Sequence, residues 1–100
     1  MKIEKSGSSD SIRLVIDGSI DERGAQEMKD VFEGLNFSGI KSIVLDFKKV
    51  DHIGSSGLGK LLLLYKRTAT AGVEVRIEHI SSEIHQLLKG VKIDGLFKLS

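Results

Sequence analysis

The chain has no cysteine, which removes disulfides, thiolate metal ligands and cysteine nucleophiles together and suits a reducing compartment, so a cytoplasmic location is expected. Proline is absent as well, so regular elements are expected to be closed by Gly and Ser turns. Tryptophan is missing and only four Phe and one Tyr are present, too few for a platform on which nucleobases stack. There is almost no excess charge of either sign: 15 Lys and Arg face 14 Asp and Glu, for a net charge of +1. No global field draws in nucleic acid or anionic lipid, so neither nucleic acid nor membrane is an expected partner. The strongest apolar run, Leu61 to Tyr65, is far too short to cross a bilayer, and the polar stretch Met1 to Ser11 holds no apolar core of signal-peptide length. The three histidines make no metal-ligand spacing such as H-E-x-x-H, and no cofactor is implied.

One hundred residues, 40% of them apolar, suffice for a single folded domain over residues 1–100, and no linker, repeat or low-complexity tract divides them. Ile12, Leu14 and Ile16 alternate with Arg13, Val15 and Asp17, the pattern of a half-buried strand; the preceding Ser6 to Asp10 cluster reads as a turn, which would make it the second arm of a hairpin. Asp21 and Glu22 suit a helix start, and Ala25, Met28, Phe32 and Leu35 recur at helical spacing. Ile43 to Phe47 is apolar on both parities, as a central strand covered on both faces would be. A connection from Lys48 to Gly57 then leads into a helix carrying Leu58, Leu61, Leu62, Leu64, Tyr65 and Ala69 and ending near Gly72. Val73, Val75 and Ile77 predict another strand. Ser81 or Ser82 caps a last helix bearing Ile84, Leu87, Leu88 and Val91, and Leu96 to Leu99 forms a short final strand. The class is α/β: a mostly parallel mixed sheet of four or five strands with about three helices.

The segment His52-Ile53-Gly54-Ser55-Ser56-Gly57-Leu58-Gly59-Lys60-Leu61 lies beyond the carboxyl end of the predicted central strand and opens a helix, where open α/β sheets tend to carry functional groups. Gly57 and Gly59 each cost about 0.5–1 kcal/mol relative to Ala inside a helix, so something besides helix propensity selects them: either close approach of another molecule or a need for flexible backbone. Gly54, Gly59 and Lys60 match the G-x-x-x-x-G-K of a phosphate-binding loop, but Leu61 stands where Ser or Thr would hold magnesium. A nucleotide-binding protein is thus a remote alternative. A serine nucleophile fares no better, because G-x-S-x-G is not matched and nothing in the sequence brings His52, His79 or His85 to Ser55 or Ser56.

The intact Ser55-Ser56-Gly57-Leu58-Gly59 resembles the signature of STAS domains of the anti-sigma factor antagonist type. The strand and loop Ile43 to Asp51, the turn Ile16-Asp17-Gly18-Ser19-Ile20-Asp21, the helix residues Leu62 to Lys66, and the stretches Ile80 to Leu88 and Gly95 to Phe97 are similar to the family's other segments, so the resemblance spans nearly the whole chain. It implies a STAS-like fold and a protein that is not an enzyme but a substrate. Ser55, or else its neighbour Ser56, would be phosphorylated by the partner, an anti-sigma factor with a histidine-kinase-like ATPase fold. A metal-dependent serine phosphatase would restore the free hydroxyl. Asp21, Gly54, Ser56, Gly57, Gly59 and Lys60 would form the partner-binding surface, although a helix cap is the plain reading of Asp21 and a solvated helix face that of Lys60. The family usually carries Asp immediately before the first serine, and Gly54 stands there instead. That departure favours the alternative, a non-switching STAS interaction module such as a scaffold component or a subunit of a lipid-transport ATPase complex.

Overall fold

A computed structural model describes residues 1–100. The strands are β1 (Lys2–Gly7), β2 (Ser11–Asp17), β3 (Ser42–Lys49), β4 (Glu74–Glu78) and β5 (Lys98–Leu99), and the helices are α1 (Glu22–Glu33), α2 (Ser55–Ala71) and α3 (Ser82–Gly90). A short 3-10 turn, Asp94–Leu96, precedes β5. The strands make one sheet in the order β1-β2-β3-β4-β5. β1 and β2 are an antiparallel hairpin, and every later pairing is parallel. This is a single small α/β domain with a five-stranded mixed sheet and three helices.

Because each parallel crossover joins adjacent strands and steps the same way, right-handed connections place all three helices on one face of the sheet. Burial follows that geometry. Ile12, Leu14, Ile16, Ile43, Leu45, Phe47, Val75 and Ile77 are buried beneath the helices, while Arg13, Val15 and Val44 on the other parity are half-exposed. The expectation that β3 is covered on both faces is therefore corrected. Its second face is closed at Asp46 by polar partners: Asp46 accepts from Arg13 Nη2 at 2.7 Å, and Arg13 Nη1 donates to Glu78 at 2.9 Å, tying β2, β3 and β4 together.

Local features mark the starts of α1 and α3 and the end of α2. The Asp21 carboxylate accepts the Gly24 N–H at 2.8 Å and caps α1, and Ser81 Oγ accepts the Ile84 N–H at 3.1 Å and caps α3. α2 stops at Gly72, which adopts φ 72° and so reaches the left-handed conformation that side chains resist. The inner faces of the helices contribute Ala25, Met28 and Phe32, then Leu61 and Leu64, then Ile84 and Leu88, to one continuous core. Three residues expected on those faces are exposed instead: Ala69, Leu87 and Val91. In α3 only Ile84 and Leu88, four residues apart on one face, are buried, and Val91 lies past the last helical residue as the C-cap.

Candidate functional site

The candidate site is built by two loops that leave neighbouring strands at their carboxyl ends. Residues 18–21 run from β2 into α1, and residues 50–54 run from β3 into α2. The loops are laced together by backbone hydrogen bonds: Gly18 N to Lys49 O at 3.0 Å, Ile20 N to His52 O at 2.8 Å, and Gly54 N to Ile20 O at 2.9 Å. Ile20 and Ile53 pair as an isolated parallel bridge, and both side chains are buried. Ser19 Oγ donates to Asp51 Oδ1 at 2.8 Å and closes the same seam at the surface. The starts of α1 and α2 are thus held side by side on a rigid edge.

Ser55 is the first residue of α2, three positions earlier than the sequence-based connection to Gly57 implied. The helix can begin there because Gly54 is extended, at φ −96° and ψ −179°, and its carbonyl already accepts the Leu58 N–H at 3.0 Å. Ser55 and Ser56 are both exposed. No side chain caps this helix, so its first-turn N–H groups face outward beside the two hydroxyls. Such an end tolerates an added anion.

The other sequence-derived positions separate into two groups. Asp21 is exposed next door, where it also caps α1. Gly59 is exposed, with nothing within 4 Å of where a Cβ would stand, and Lys60 is half-buried one turn beyond Ser56. Gly54 is half-buried, and a Cβ there would meet His52 Nε2 at 3.9 Å, an ordinary contact. Gly57 faces inward. A Cβ on it would lie 2.6 Å from Ile20 Cγ2 and 2.7 Å from Ile53 Cγ1, so it lets α2 seat on the buried bridge rather than opening the helix end to a visitor. Sequence reasoning missed Ile20, Ile53 and the Ser19–Asp51 bond. The only hint was that an isoleucine occurs in each loop two residues before the helix start.

No group of three or more His, Asp and Glu side chains is gathered closely enough to hold a metal ion. The phosphate-loop match is corrected by the fold: the Gly54 N–H is spent on Ile20 O, and Leu61, at the magnesium-binding position, is fully buried. The parallel strands also never reverse their order, so the crevice in which doubly wound folds bind nucleotides does not form. Asp46, on β3, is one of the groups whose pKa departs from its ordinary value. Burial pushes the Asp46 carboxyl up, but the Lys48 N–H, the Arg13 guanidinium and the charge of His79 outweigh it and leave the group below its ordinary value.

Comparison with known proteins matches residues 2–100 to the STAS domain family. A STAS-domain containing protein of Pseudomonas aeruginosa (strain UCBPP-PA14) is 25% identical over 95 residues, which cover 95% of this chain and 93% of that protein. A putative anti-sigma factor antagonist from Thermotoga maritima superposes with a TM-score of 0.86 at 19% identity, covering 97% of this chain and 84% of that one. The anti-sigma factor antagonist SpoIIAA in its unphosphorylated form superposes with a TM-score of 0.78 at 12% identity, covering 99% of this chain and 87% of that one. At these identities the two structures speak to the fold alone. No helix is long and apolar enough to cross a membrane.

Proposed function

Because the chain belongs to the STAS domain family, we propose that it is an anti-sigma factor antagonist, switched off when its partner phosphorylates Ser55. The partner is an anti-sigma factor with a histidine-kinase-like ATPase fold, and a metal-dependent serine phosphatase resets the switch, all within the cytoplasm. The observation that carries this reading is the exposed Ser55 hydroxyl at the mouth of α2, on an edge fixed by the Ile20–Ile53 bridge. The chain shares its fold with proteins described as anti-sigma factor antagonists.

The protein's own part is to present, not to catalyse. The partner's active site must reach the hydroxyl, and the edge offers it without a covering side chain at Gly54 or Gly59. A phosphate on Ser55 adds about −1.5 to −2 charges at neutral pH. Within the domain the helix N-terminus offsets this by about 0.3–1 kcal/mol, so folding survives. Across an interface the same dianion, buried without a matching cation, costs several kcal/mol; a net loss of about 3 kcal/mol weakens binding more than 100-fold. Asp21 and Asp51 on the flanking loops add negative charge at the same edge and sharpen the repulsion toward an acidic partner surface.

The cognate anti-sigma factor, with ATP, tests the reading. Intact mass should show one phosphate gained by the wild-type chain and none by Ser55→Ala, which keeps wild-type affinity. Ser55→Asp should bind at least about 100-fold more weakly. Equal binding by both variants, or phosphate appearing only on Ser56, overturns Ser55 as the switch. A second reading, the non-switching module, is favoured by Gly54: no side chain stands before the serine, and α2 has no side-chain cap. It predicts that no phosphate is gained at all.

A further inference from the structure

The groove between α1 and α2 is a second feature, which shares only Lys60 with the partner-binding positions named from the sequence. Its lining comes from these two helices alone: Lys29, Phe32 and Glu33 on α1, and Lys60, Leu63, Leu64, Lys66 and Arg67 on α2, around about 330 Å³ of space. With no wall from any other element it is a trough open along its outer side. The floor is apolar, with Phe32 and Leu64 buried beneath it. Leu63 is 47% exposed, one of the few large apolar side chains left to solvent.

Charge is concentrated here. On a chain of net charge +1, this trough gathers three lysines and an arginine against a single carboxylate. That carboxylate, Glu33, already faces Lys29 at 3.4 Å. Lys60 and Lys66 take part in no ion pair, and they flank Leu63 at three-residue intervals, one turn to either side on the same helix face. Arg67 is held in place: its guanidinium donates to the Phe32 carbonyl and lies 4.9 Å from the centre of the Phe37 ring. A fixed cation, two free ones and an exposed leucine over an apolar floor make a surface complementary to negative charge around an apolar anchor. The open side argues against a small ligand, since binding cavities enclose most of their ligand's surface.

We propose that the α1–α2 trough docks an acidic segment of a partner protein, one bulky apolar side chain of which packs on Leu63 while its carboxylates meet Lys60, Lys66 and Arg67. This is helix-in-groove or extended-segment recognition of the kind that apolar anchors and flanking charges specify. It does not depend on phosphorylation of Ser55, so either reading can fail without the other.

The test uses the full chain, isotopically labelled for NMR, and a short acetylated and amidated peptide of Glu, Asp and Ala with one central Leu. Amide shifts should change along Lys29–Glu33 and Lys60–Arg67 and weaken with added salt. The double variant Lys60→Glu/Lys66→Glu should weaken binding by about tenfold or more. Both positions lack ion pairs, so the variant is expected to fold, and its own spectrum reports whether it has. Leu63→Ser, or replacing the peptide's Leu by Ser, should weaken binding as well. The proposal is overturned by shifts centred elsewhere, by no shifts at millimolar peptide, by equal binding of a peptide with Lys in place of its acids, or by binding to phosphatidylglycerol vesicles with none to the peptide.

Discussion

Two glycines in α2, two residues apart, have opposite reasons for being there. Gly57 stands where a methyl group would press on Ile20 and Ile53 at 2.6–2.7 Å, whereas Gly59 has open space. Gly57→Ala gains up to about 1 kcal/mol in helix propensity but must displace two buried isoleucines, and overpacking of that kind costs about 1–3 kcal/mol. The expected net result is destabilisation. Gly59→Ala meets nothing and is expected to stabilise the domain by up to about 1 kcal/mol. Urea unfolding of the two variants checks both signs. If Gly59→Ala also loses partner binding while gaining stability, the exposed glycine belongs to the docking surface and not to the fold.

At the level of the strand, β3 is held by different forces on its two faces. Ile43, Leu45 and Phe47 bury apolar surface against the helices. On the uncovered face Asp46 and its hydrogen bonds to Arg13 and Lys48 take the place of a second apolar layer. Burial opposes the Asp46 charge, and the Lys48 N–H and Arg13 more than restore it, so its folded pKa lies below the ordinary value of 3.8. A depressed carboxylate pKa adds stability that is present in full above the unfolded value and is lost as pH falls through the folded one. Asp46→Asn is therefore expected to destabilise the domain at pH 7 by about 1–2 kcal/mol, discounted for the partial exposure of Arg13. The difference from wild type should shrink below about pH 4, as denaturant unfolding at a series of pH values would show. A difference that persists unchanged at acid pH would assign the effect to packing instead of charge.

Across the whole molecule, one core joins all three helices to the sheet, and the Cα radius of gyration is 12.3 Å, close to the roughly 13 Å of a compact domain of this length. No separate layer or hinged unit stands between the serine edge and the rest. A charge placed at Ser55 thus has no second packing to select, and its effect must be read directly at the surface. Ser55→Asp is expected to leave the melting temperature within a few degrees of wild type, with amide shifts confined to the first turn of α2 and the adjoining loops. Widespread shifts would mean that the switch works through the fold.

The order and type of the elements were legible in the sequence because they rest on local periodicity: the alternation of Ile12, Leu14 and Ile16, the spacing of Ala25, Met28 and Phe32, the turn at Gly72. The serine segment was legible as a motif, and its position beyond a strand followed from that order. What only the tertiary structure decided involves residues far apart in the chain. The run Ile43 to Phe47 predicted an apolar cover on both faces, and only the structure showed Arg13, 33 residues from Asp46, and its partner Glu78 closing the second face with polar contacts. Gly57 and Gly59 were equivalent as letters, and only the approach of Ile20 and Ile53 separated them. Periodicity sets which face of an element turns inward, but it cannot say what waits there, because the identity of a contact depends on how the crossovers fold distant segments together.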